Sequence, residues 1–227
     1  MYQLEKHDHV FLLTMNNNEN RFNPSNVEKI LEKIDEVEAS SGPASLVITG
    51  TGKFFSNGLD LDFLEQTPGS LPFLGNGLER LMKRLMLLPM ATIACLNGHA
   101  FAGGGIFALA HDFRVMREDR GWFCLPEVDI GIPFTPAMNA LLTAQLSPLA
   151  CRQAMLTGRR LTAQESLELG IIDRAVPQDG LMEQVMAFAA QLANKRGKTM
   201  FATKNALYKQ VISLCYPFGE STQHPKY

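Results

Sequence analysis

Cysteine is sparse in this chain, and its spacing argues against two common uses of the residue. The 227 residues include four cysteines, Cys95, Cys124, Cys151 and Cys215, and no two of them form a CxxC pair. Zinc ligands and the disulfide framework of a small secreted domain both require closer or paired spacing. We therefore expect free thiols, as in a reducing compartment, and no metal site.

Excess charge and long apolar runs are also missing. Lys and Arg number 21 against 23 Asp and Glu, so a net charge of -2 gives no electrostatic case for binding nucleic acid or an anionic membrane. No apolar run reaches the length of a membrane span, and the charged N-terminus lacks the apolar core of a signal peptide. The ending Pro225-Lys226-Tyr227 shares only its lysine with the peroxisomal signal Ser-Lys-Leu. We expect a soluble intracellular protein, cytoplasmic by default, with peroxisome and mitochondrion as alternatives.

Strand and helix patterns that follow one another predict a single α/β domain. Hydrophobic residues make up 46% of the chain, enough for a full core. Strand-like runs lie at 10–15, 45–50, 92–96, 113–116 and 122–125, and a helix with one apolar face begins at Pro24. Residues 136 to about 209 are largely helical, whereas 68–77 is rich in Gly and Pro and predicts a mobile connection. This order favours right-handed crossovers over one sheet.

A glycine run between a strand and a helix is the most informative segment. Residues 98–105 (GHAFAGGG) follow the strand-like 92–96 and lead into helix-like 106–110. Glycines here allow close approach of another group, and the N–H groups at a helix start lack intrahelical acceptors. Such a turn can hold a phosphate or a developing oxyanion.

Three familiar functions of a glycine turn are excluded, because the other residues that each of them requires are missing. A Walker P-loop requires Lys-Ser/Thr after the glycines, but Ile106-Phe107 follows them. A dinucleotide fingerprint requires GxGxxG, and a nucleophile elbow requires GxSxG; neither pattern is present in this turn. An oxyanion site remains.

A second loop offers the other half of such a site. Residues 55–59 (FSNGL) follow the strand at 45–50 as the glycine turn follows the strand at 92–96. Two loops that leave the same sheet edge can each aim one N–H at a shared carbonyl oxygen. For Gly58 alone, an ordinary turn is the alternative.

Glu127 is the candidate base. It follows an apolar strand and precedes a turn with Pro133, and apolar neighbours disfavour its charged form, which raises the pKa of a carboxylate. The alternative is a loop glutamate that caps a turn or pairs with an arginine. Asp129, two residues on, would share its face in extended structure and could orient a substrate.

For the other reactive residues, a structural role is the better explanation than a catalytic one. His99 and His111 could be bases. Each is predicted in a turn or at a helix end, however, where a local hydrogen bond is the better explanation of the side chain. Asp60 and Asp62 fit caps of the helix after the first loop. Cys124 lacks a visible basic partner and fits a buried thiol.

Five segments, in order, resemble the crotonase superfamily (enoyl-CoA hydratase/isomerase). They are residues 55–61 (FSNGLDL), 97–105 (NGHAFAGGG), Pro126-Glu127 with Gly131-Ile132, 161–173 (LTAQESLELGIID) and 203–207 (TKNAL). The resemblance implies an α/β fold with a ββα spiral core over residues 1–180 that holds the acyl-CoA site. It also implies a C-terminal helical segment, 181–227, that covers the core or mediates trimerisation, hence a homotrimer or a dimer of trimers.

The resemblance also implies a set of site residues. The N–H groups of Leu59 and Gly104 would bind the thioester oxygen of a fatty acyl-CoA, and Glu127 would act beside them. Further substrate contacts fall on two groups of positions. The stretch that would line the coenzyme A adenine site contributes Lys53, Phe55, Ser56, Asn57, Gly58, Asp60 and Leu61. The remaining expected contacts are Ala102, Gly103, Phe107 and Phe134. Coenzyme A enters as part of the substrate, and no separate cofactor is expected.

One position distinguishes reactions within the resemblance. A hydratase would carry a glutamate where Phe107 stands, as well as the one at Glu127. A single carboxylate suits proton shuttling, so the resemblance favours a Δ3,Δ2-enoyl-CoA isomerase in fatty acid metabolism. Phe107 would help to exclude water from the dienolate. Alternatives are a hydratase, thioesterase or decarboxylase of the same fold, and a non-catalytic acyl-CoA binder. The segment 68–77, with Phe73, would shape the pocket for the acyl chain.

Overall fold

The computed structural model describes residues 1–216, which form strands and helices in the α/β order that the sequence predicts. The strands are β1 (Tyr2–His7), β2 (Val10–Met15), β3 (Ser45–Gly50), β4 (Phe54–Ser56), β5 (Thr92–Leu96), β6 (His99–Phe101), β7 (Phe113–Arg117), β8 (Phe123–Cys124) and β9 (Arg174–Val176). The helices are α1 (Pro24–Ala39), α2 (Leu61–Gln66), α3 (Leu71–Leu87), α4 (Gly103–Leu109), α5 (Glu127–Ile130), α6 (Pro136–Gln145), α7 (Pro148–Met155), α8 (Ala163–Glu168), α9 (Gln178–Leu192), α10 (Lys198–Leu207) and α11 (Lys209–Leu214).

Two sheets organise these elements. The larger sheet has the order β1-β2-β3-β5-β7-β9 and is parallel except for the antiparallel pair β1-β2. The smaller sheet has the order β4-β6-β8 and is parallel throughout. Each of β3, β5 and β7 is followed by a strand of the smaller sheet and then by a helix. The predicted α/β core with a repeated ββα unit is confirmed.

The larger sheet is buried on both faces, as a parallel sheet with crossover helices requires. Every residue of β3 and β5 is buried. One face packs on α1, α3 and α4 in the main core, and α1 buries the stripe that its spacing predicts: Val27, Ile30, Leu31, Ile34 and Val37. The other face packs on α9 through Leu181, Val185 and Ala189. The apolar stripe of α9 therefore covers the chain's own sheet.

Three predictions about local structure are wrong. Helix α3 begins at Leu71, inside the supposed mobile connection at 68–77, because Leu74 and Leu78 pack into the core and outweigh the helix-breaking tendency of glycine. The glycine segment contains strand β6 before its helix, and the pairing of this strand with β4 and β8 makes a second sheet where one was expected. Strands β1 and β9 were not predicted, since β1 is a mostly exposed edge strand in which Tyr2 and Leu4 are the apolar residues.

The C-terminal helices are anchored to the core by a buried ion pair. Lys204 of α10 donates to the carboxylate of Asp112 at 2.7 Å and to the carbonyl of Met90 at 3.2 Å. Within residues 1–216, no helix is both long and apolar enough to span a bilayer. The predictions for the ending at residues 225–227, and for the last part of the segment 181–227, lie outside the described residues.

Candidate active site

Two loops leave the smaller sheet side by side. Strands β4 and β6 pair in parallel, so their carboxyl ends meet at the same edge. The loop at 57–60 follows β4, and Ala102 with the glycines of α4 follows β6. The two loops are adjacent as expected, although the edge belongs to the smaller sheet and not to the larger one.

In the first loop, one peptide N–H has no acceptor among residues 1–216. The other three N–H groups donate to the Glu19 carbonyl (from Asn57, 2.9 Å), the Ser56 hydroxyl (from Gly58, 3.2 Å) and the Phe22 carbonyl (from Asp60, 3.0 Å). No acceptor among the described residues takes the N–H of Leu59. This N–H is therefore available to a ligand.

The second loop ends in a strained turn. Ala102 has φ 49° and ψ −125°, a conformation that is rarely populated by a residue with a side chain and that occurs often at functional sites. The N–H of Ala102 donates to Cys124 and that of Gly105 donates back to Ala102, both at 2.9 Å. The N–H groups of Gly103 and Gly104 have no acceptor among residues 1–216. The first turn of α4 thus presents two free donors.

Glycine is required on both loops because their backbones touch. A Cβ built on Gly58, which has φ +82°, would lie 2.9 Å from the nitrogen of Gly103. A Cβ on Gly104 would overlap the carbonyl of Ser56. The close contact brings the two sets of free N–H groups to one place.

An apolar cavity of about 220 Å³ opens beside these loops. Its lining is dominated by aliphatic and aromatic side chains, among them Leu78, Ile106 and Met138. Of the residues that line it, Arg21 and Glu127 carry ionisable side chains. A concave, mostly apolar site with few polar groups is the usual form of a small-molecule site.

Glu127 is placed as a poised acid or base. It is the first residue of α5, it is 7% exposed, and its Oε2 atom has no hydrogen-bond partner among the described residues. Burial raises the pKa of Glu127 to about 7. A carboxyl whose pKa lies near neutrality can both accept and return a proton.

Seven of the predicted site residues line the cavity. They are Asn57, Leu59, Leu61, Ala102, Gly103, Glu127 and Phe134. Phe73, expected to shape the acyl pocket, is not among the lining residues, whereas Leu78 of the same helix is.

The other predicted site residues lie around the cavity, outside its lining. Gly58, Gly104 and Ser56 form the backbone contact between the loops. Phe55 and Phe107 stack in the core with ring centroids 6.1 Å apart, and Phe107 is fully buried. Asp60 caps α2 by accepting from the N–H of Phe63. Lys53 borders a separate surface pocket with His99 and Trp122.

Asp129 does not share the face of Glu127. The two residues lie on helix α5 and not in extended structure, so residues two apart point in different directions. The Asp129 carboxylate lies against Gly158, and Asp129 is exposed.

The other candidate bases are unsuited to the task. Burial lowers the pKa of His111 to about 3, and its Nδ1 atom is 2.9 Å from the carbonyl of Phe107, a local hydrogen bond of the expected kind. His99 stacks on Trp122 with centroids 4.8 Å apart, away from the cavity. Burial raises the pKa of Cys124 to about 11, and its thiol donates to the carbonyl of Gly158.

Sequence reasoning missed much of the apolar wall and Arg21. Leu78 and Met138 stand at regular apolar positions of α3 and α6, which indicate burial but not a cavity. Ile132 and Pro133 lie five and six residues after Glu127, and this short separation could have marked them as neighbours of the site. No local pattern marks Arg21, which reaches the site through tertiary contacts. Within residues 1–216, no group of three or more His, Cys, Asp or Glu side chains could hold a metal ion.

The chain is similar to known proteins of one family. The family model for enoyl-CoA hydratase/isomerase matches residues 5–214. The chain is 36% identical to enoyl-CoA delta isomerase 3 of Arabidopsis thaliana, with 94% of each chain covered. It is also 36% identical to the peroxisomal enoyl-CoA delta isomerase 2 of that plant, covering 94% of this chain and 95% of the relative.

A solved structure shows the same fold. The crystal structure of a probable enoyl-CoA hydratase from Mycobacterium tuberculosis superposes with a TM-score of 0.85 at 23% identity, over 94% of this chain and 91% of the other. Together with the ββα core and the paired loops, this shows an α/β protein of the crotonase fold with a C-terminal helical region. The chain belongs to the enoyl-CoA hydratase/isomerase family.

Proposed function

We propose that this enzyme moves the double bond of an unsaturated fatty acyl-CoA from position 3 to position 2. Glu127 removes a proton from C2 of a 3-enoyl-CoA, and the electron pair moves onto the thioester oxygen to give a dienolate. The same carboxyl then returns its proton to C4, and the product is a trans-2-enoyl-CoA. The observation that carries the proposal is one carboxylate of raised pKa beside free peptide N–H groups in an apolar cavity.

The two loops supply the stabilisation that a dienolate needs. We assign the N–H groups of Leu59 and Gly104 to its oxygen, since neither has an acceptor within the described residues. Donors that are already fixed require no reorganisation when the charge develops, and loss of one typically costs about 3 kcal/mol of transition-state stabilisation.

The lack of a second carboxylate favours isomerisation over hydration. Hydration needs a group that orients and activates water, in addition to the one that protonates carbon. At the position where the resemblance implies such a glutamate, Phe107 is buried against Phe22 and Phe55. The other ionisable lining residue, Arg21, is held by carboxylates. An apolar lining also keeps water from the dienolate.

An activity panel tests the reaction. Purified protein is given 3-enoyl-CoA and 2-enoyl-CoA substrates of several chain lengths, and the products are separated by chromatography. We expect 2-enoyl-CoA from the first series and little 3-hydroxyacyl-CoA from the second. Equal hydration of 2-enoyl-CoA would make the protein a hydratase instead.

Substitution of the base tests its role. Glu127→Gln keeps the shape but cannot accept a proton, so isomerisation should be lost. Asp129→Asn is the matched control, because it neutralises an exposed carboxylate on the same helix that does not line the cavity. Full activity of Glu127→Gln contradicts the assignment. Bound acyl-CoA that never exchanges deuterium at C2 identifies a non-catalytic binder.

Further parts of the proposal concern the substrate and assembly. Coenzyme A is carried in as part of the substrate, without a separate cofactor. The segment 181–227 serves as a covering and assembly segment on a core of residues 1–180, and the protein forms a homotrimer or a dimer of trimers. Light scattering coupled to size-exclusion chromatography measures this mass directly.

The compartment is open to a direct test. Two relatives from Arabidopsis thaliana are named as peroxisomal, which favours the peroxisomal alternative over the cytoplasmic default. A fluorescent fusion that leaves the C-terminus free distinguishes the two, and mitochondrial fluorescence contradicts both.

A further inference from the structure

The segment between β2 and α1 runs alongside the loop that carries Leu59. Two backbone bonds flank that residue: the N–H of Phe22 donates to Gly58 at 2.8 Å, and the N–H of Asp60 donates to Phe22 at 3.0 Å. The carbonyl of Glu19 accepts the N–H of Asn57 at 2.9 Å. The loop is therefore supported from one side along its whole length.

The side chain of Glu19 strengthens this support before Leu59. Its Oε2 atom accepts from Nδ2 of Asn57 at 2.8 Å and from Nε of Arg21 at 2.7 Å. The hydrogen bond from Asn57 holds the pKa of Glu19 below its usual value, so the group is ionised at neutral pH. Hydrogen bonds to a charged group are stronger than those between neutral groups.

Arg21 extends the same network past Leu59. Its Nη1 atom donates to Asp62 at 2.8 Å and lies 3.8 Å from Asp60. The guanidinium thus connects Glu19, on one side of the free N–H, to the start of α2 on the other. Leu59 lies between the two fixed points.

We propose that Glu19 is a positioning residue for the oxyanion site: through Asn57 and Arg21 it holds the peptide N–H of Leu59 in the direction of the thioester oxygen. Glu19 itself is not among the residues that line the cavity. The proposal rests on the proposed function, because it presumes that this N–H meets an enolate oxygen. A donor is effective only when its supporting groups are fixed.

Glu19→Ala is the informative variant, and three readouts separate its possible roles. Acetoacetyl-CoA is the first probe, because its enolate form has a distinct ultraviolet absorbance that reports stabilisation of the oxyanion. Butyryl-CoA is the second, because it binds without forming an enolate. The third readout is the thermal unfolding midpoint. Glu28→Gln is the matched control, since it removes an exposed carboxylate on α1, which pairs with Arg80 on α3.

We expect the enolate fraction and kcat to fall by about tenfold in Glu19→Ala, within the ~100-fold that a misplacement of 1 Å costs. Butyryl-CoA affinity, KM and the unfolding midpoint should stay near those of Glu28→Gln. Glu19→Gln keeps one acceptor for Asn57 and should fall between the wild type and Glu19→Ala.

Two results would overturn the proposal. An unchanged enolate fraction in Glu19→Ala shows that the loop holds its direction without this side chain. A parallel loss of butyryl-CoA affinity, enolate and unfolding midpoint shows a merely structural role. If the wild type itself forms no enolate, the proposed function fails, and this proposal fails with it. Failure of this proposal alone is recognised by a wild type that forms the enolate and a Glu19→Ala variant that forms it equally well.

Discussion

Gly58 and Gly103 touch across the two loops of the site, and a Cβ built on Gly58 would stand 2.9 Å from the nitrogen of Gly103. This contact is possible because neither residue has a side chain. Since β4 and β6 already place the loops side by side, the glycine pair decides how near their free N–H groups come. Two donors that face one oxygen require this distance to be short.

Gly58→Ala should therefore damage both the fold and the site. The left-handed φ of +82° costs an alanine about 1 kcal/mol. Overpacking against Gly103 adds about 2 kcal/mol. Gly42→Ala is the matched control, because its φ is +80° and no atom lies within 4 Å of the added Cβ. Urea unfolding should show the smaller loss for Gly42→Ala, and equal losses for the two variants contradict the contact.

The buried carboxyl of Glu127 should make stability depend on pH. Its pKa is about 7 in the folded protein against 4.5 for an ordinary glutamate, so the folded state binds the proton more tightly. Stability is then lost as the pH rises from about 4.5 through 7, by up to about 3 kcal/mol. Glu127→Gln lacks this titration.

The measurement is the free energy of unfolding of both proteins at pH 5 and pH 8. The advantage of the wild type over Glu127→Gln should shrink, or reverse in sign, at the higher pH. A difference that is the same at both values contradicts the raised pKa.

The same pKa sets the expected pH profile of the reaction. A base must be ionised in the free enzyme, so kcat/KM for 3-enoyl-CoA should rise with pH and level off above about 7. Well below that value it should fall by about tenfold per pH unit. Asp129→Asn should keep this inflection. A flat profile between about pH 5 and pH 9 excludes Glu127 as the titrating base.

Short sequence patterns predicted those parts of the site whose residues lie close together in the chain. The glycines at the start of α4, the loop with Leu59 and the apolar surroundings of Glu127 can each be recognised within ten residues of sequence. Arg21 could not be recognised in this way, since its partners Asp60 and Asp62 are about forty residues away.

The fold shows the same division between local and distant causes. Helix α1 follows its apolar spacing and the cap at Asn23, both of which are readable. The first part of helix α3 contains Pro72, Gly75 and Gly77 and looks irregular from its composition, whereas Leu78, Leu81 and Leu85 have helical spacing. It forms a helix because Leu74 and Leu78 are buried in the core. This tertiary packing outweighs local propensity and is not visible in a local sequence pattern.

The ion pair of Lys204 with Asp112 should be the main fixing point of α10. Lys204 is 3% exposed, and burial lowers the pKa of its ammonium group, so the stability of the charged form depends on its partner. In Lys204→Met the carboxylate of Asp112 stays mostly buried, at 15% exposed, with the N–H and hydroxyl of Thr92 as its hydrogen-bond partners. Removal of one member of a buried pair typically costs about 3–5 kcal/mol. The exposed Lys198, at the start of α10, provides the control.

Urea unfolding should place Lys204→Met about 3 kcal/mol below the wild type and Lys198→Met within about 0.5 kcal/mol of it. Asp112→Asn combined with Lys204→Met should cost less than the sum of the two single changes, because the second change removes a charge that the first has left unpaired. Equal effects of the two lysine substitutions contradict the anchor. Additive effects at Lys204 and Asp112 show that the two side chains stabilise the fold independently, which contradicts the anchor.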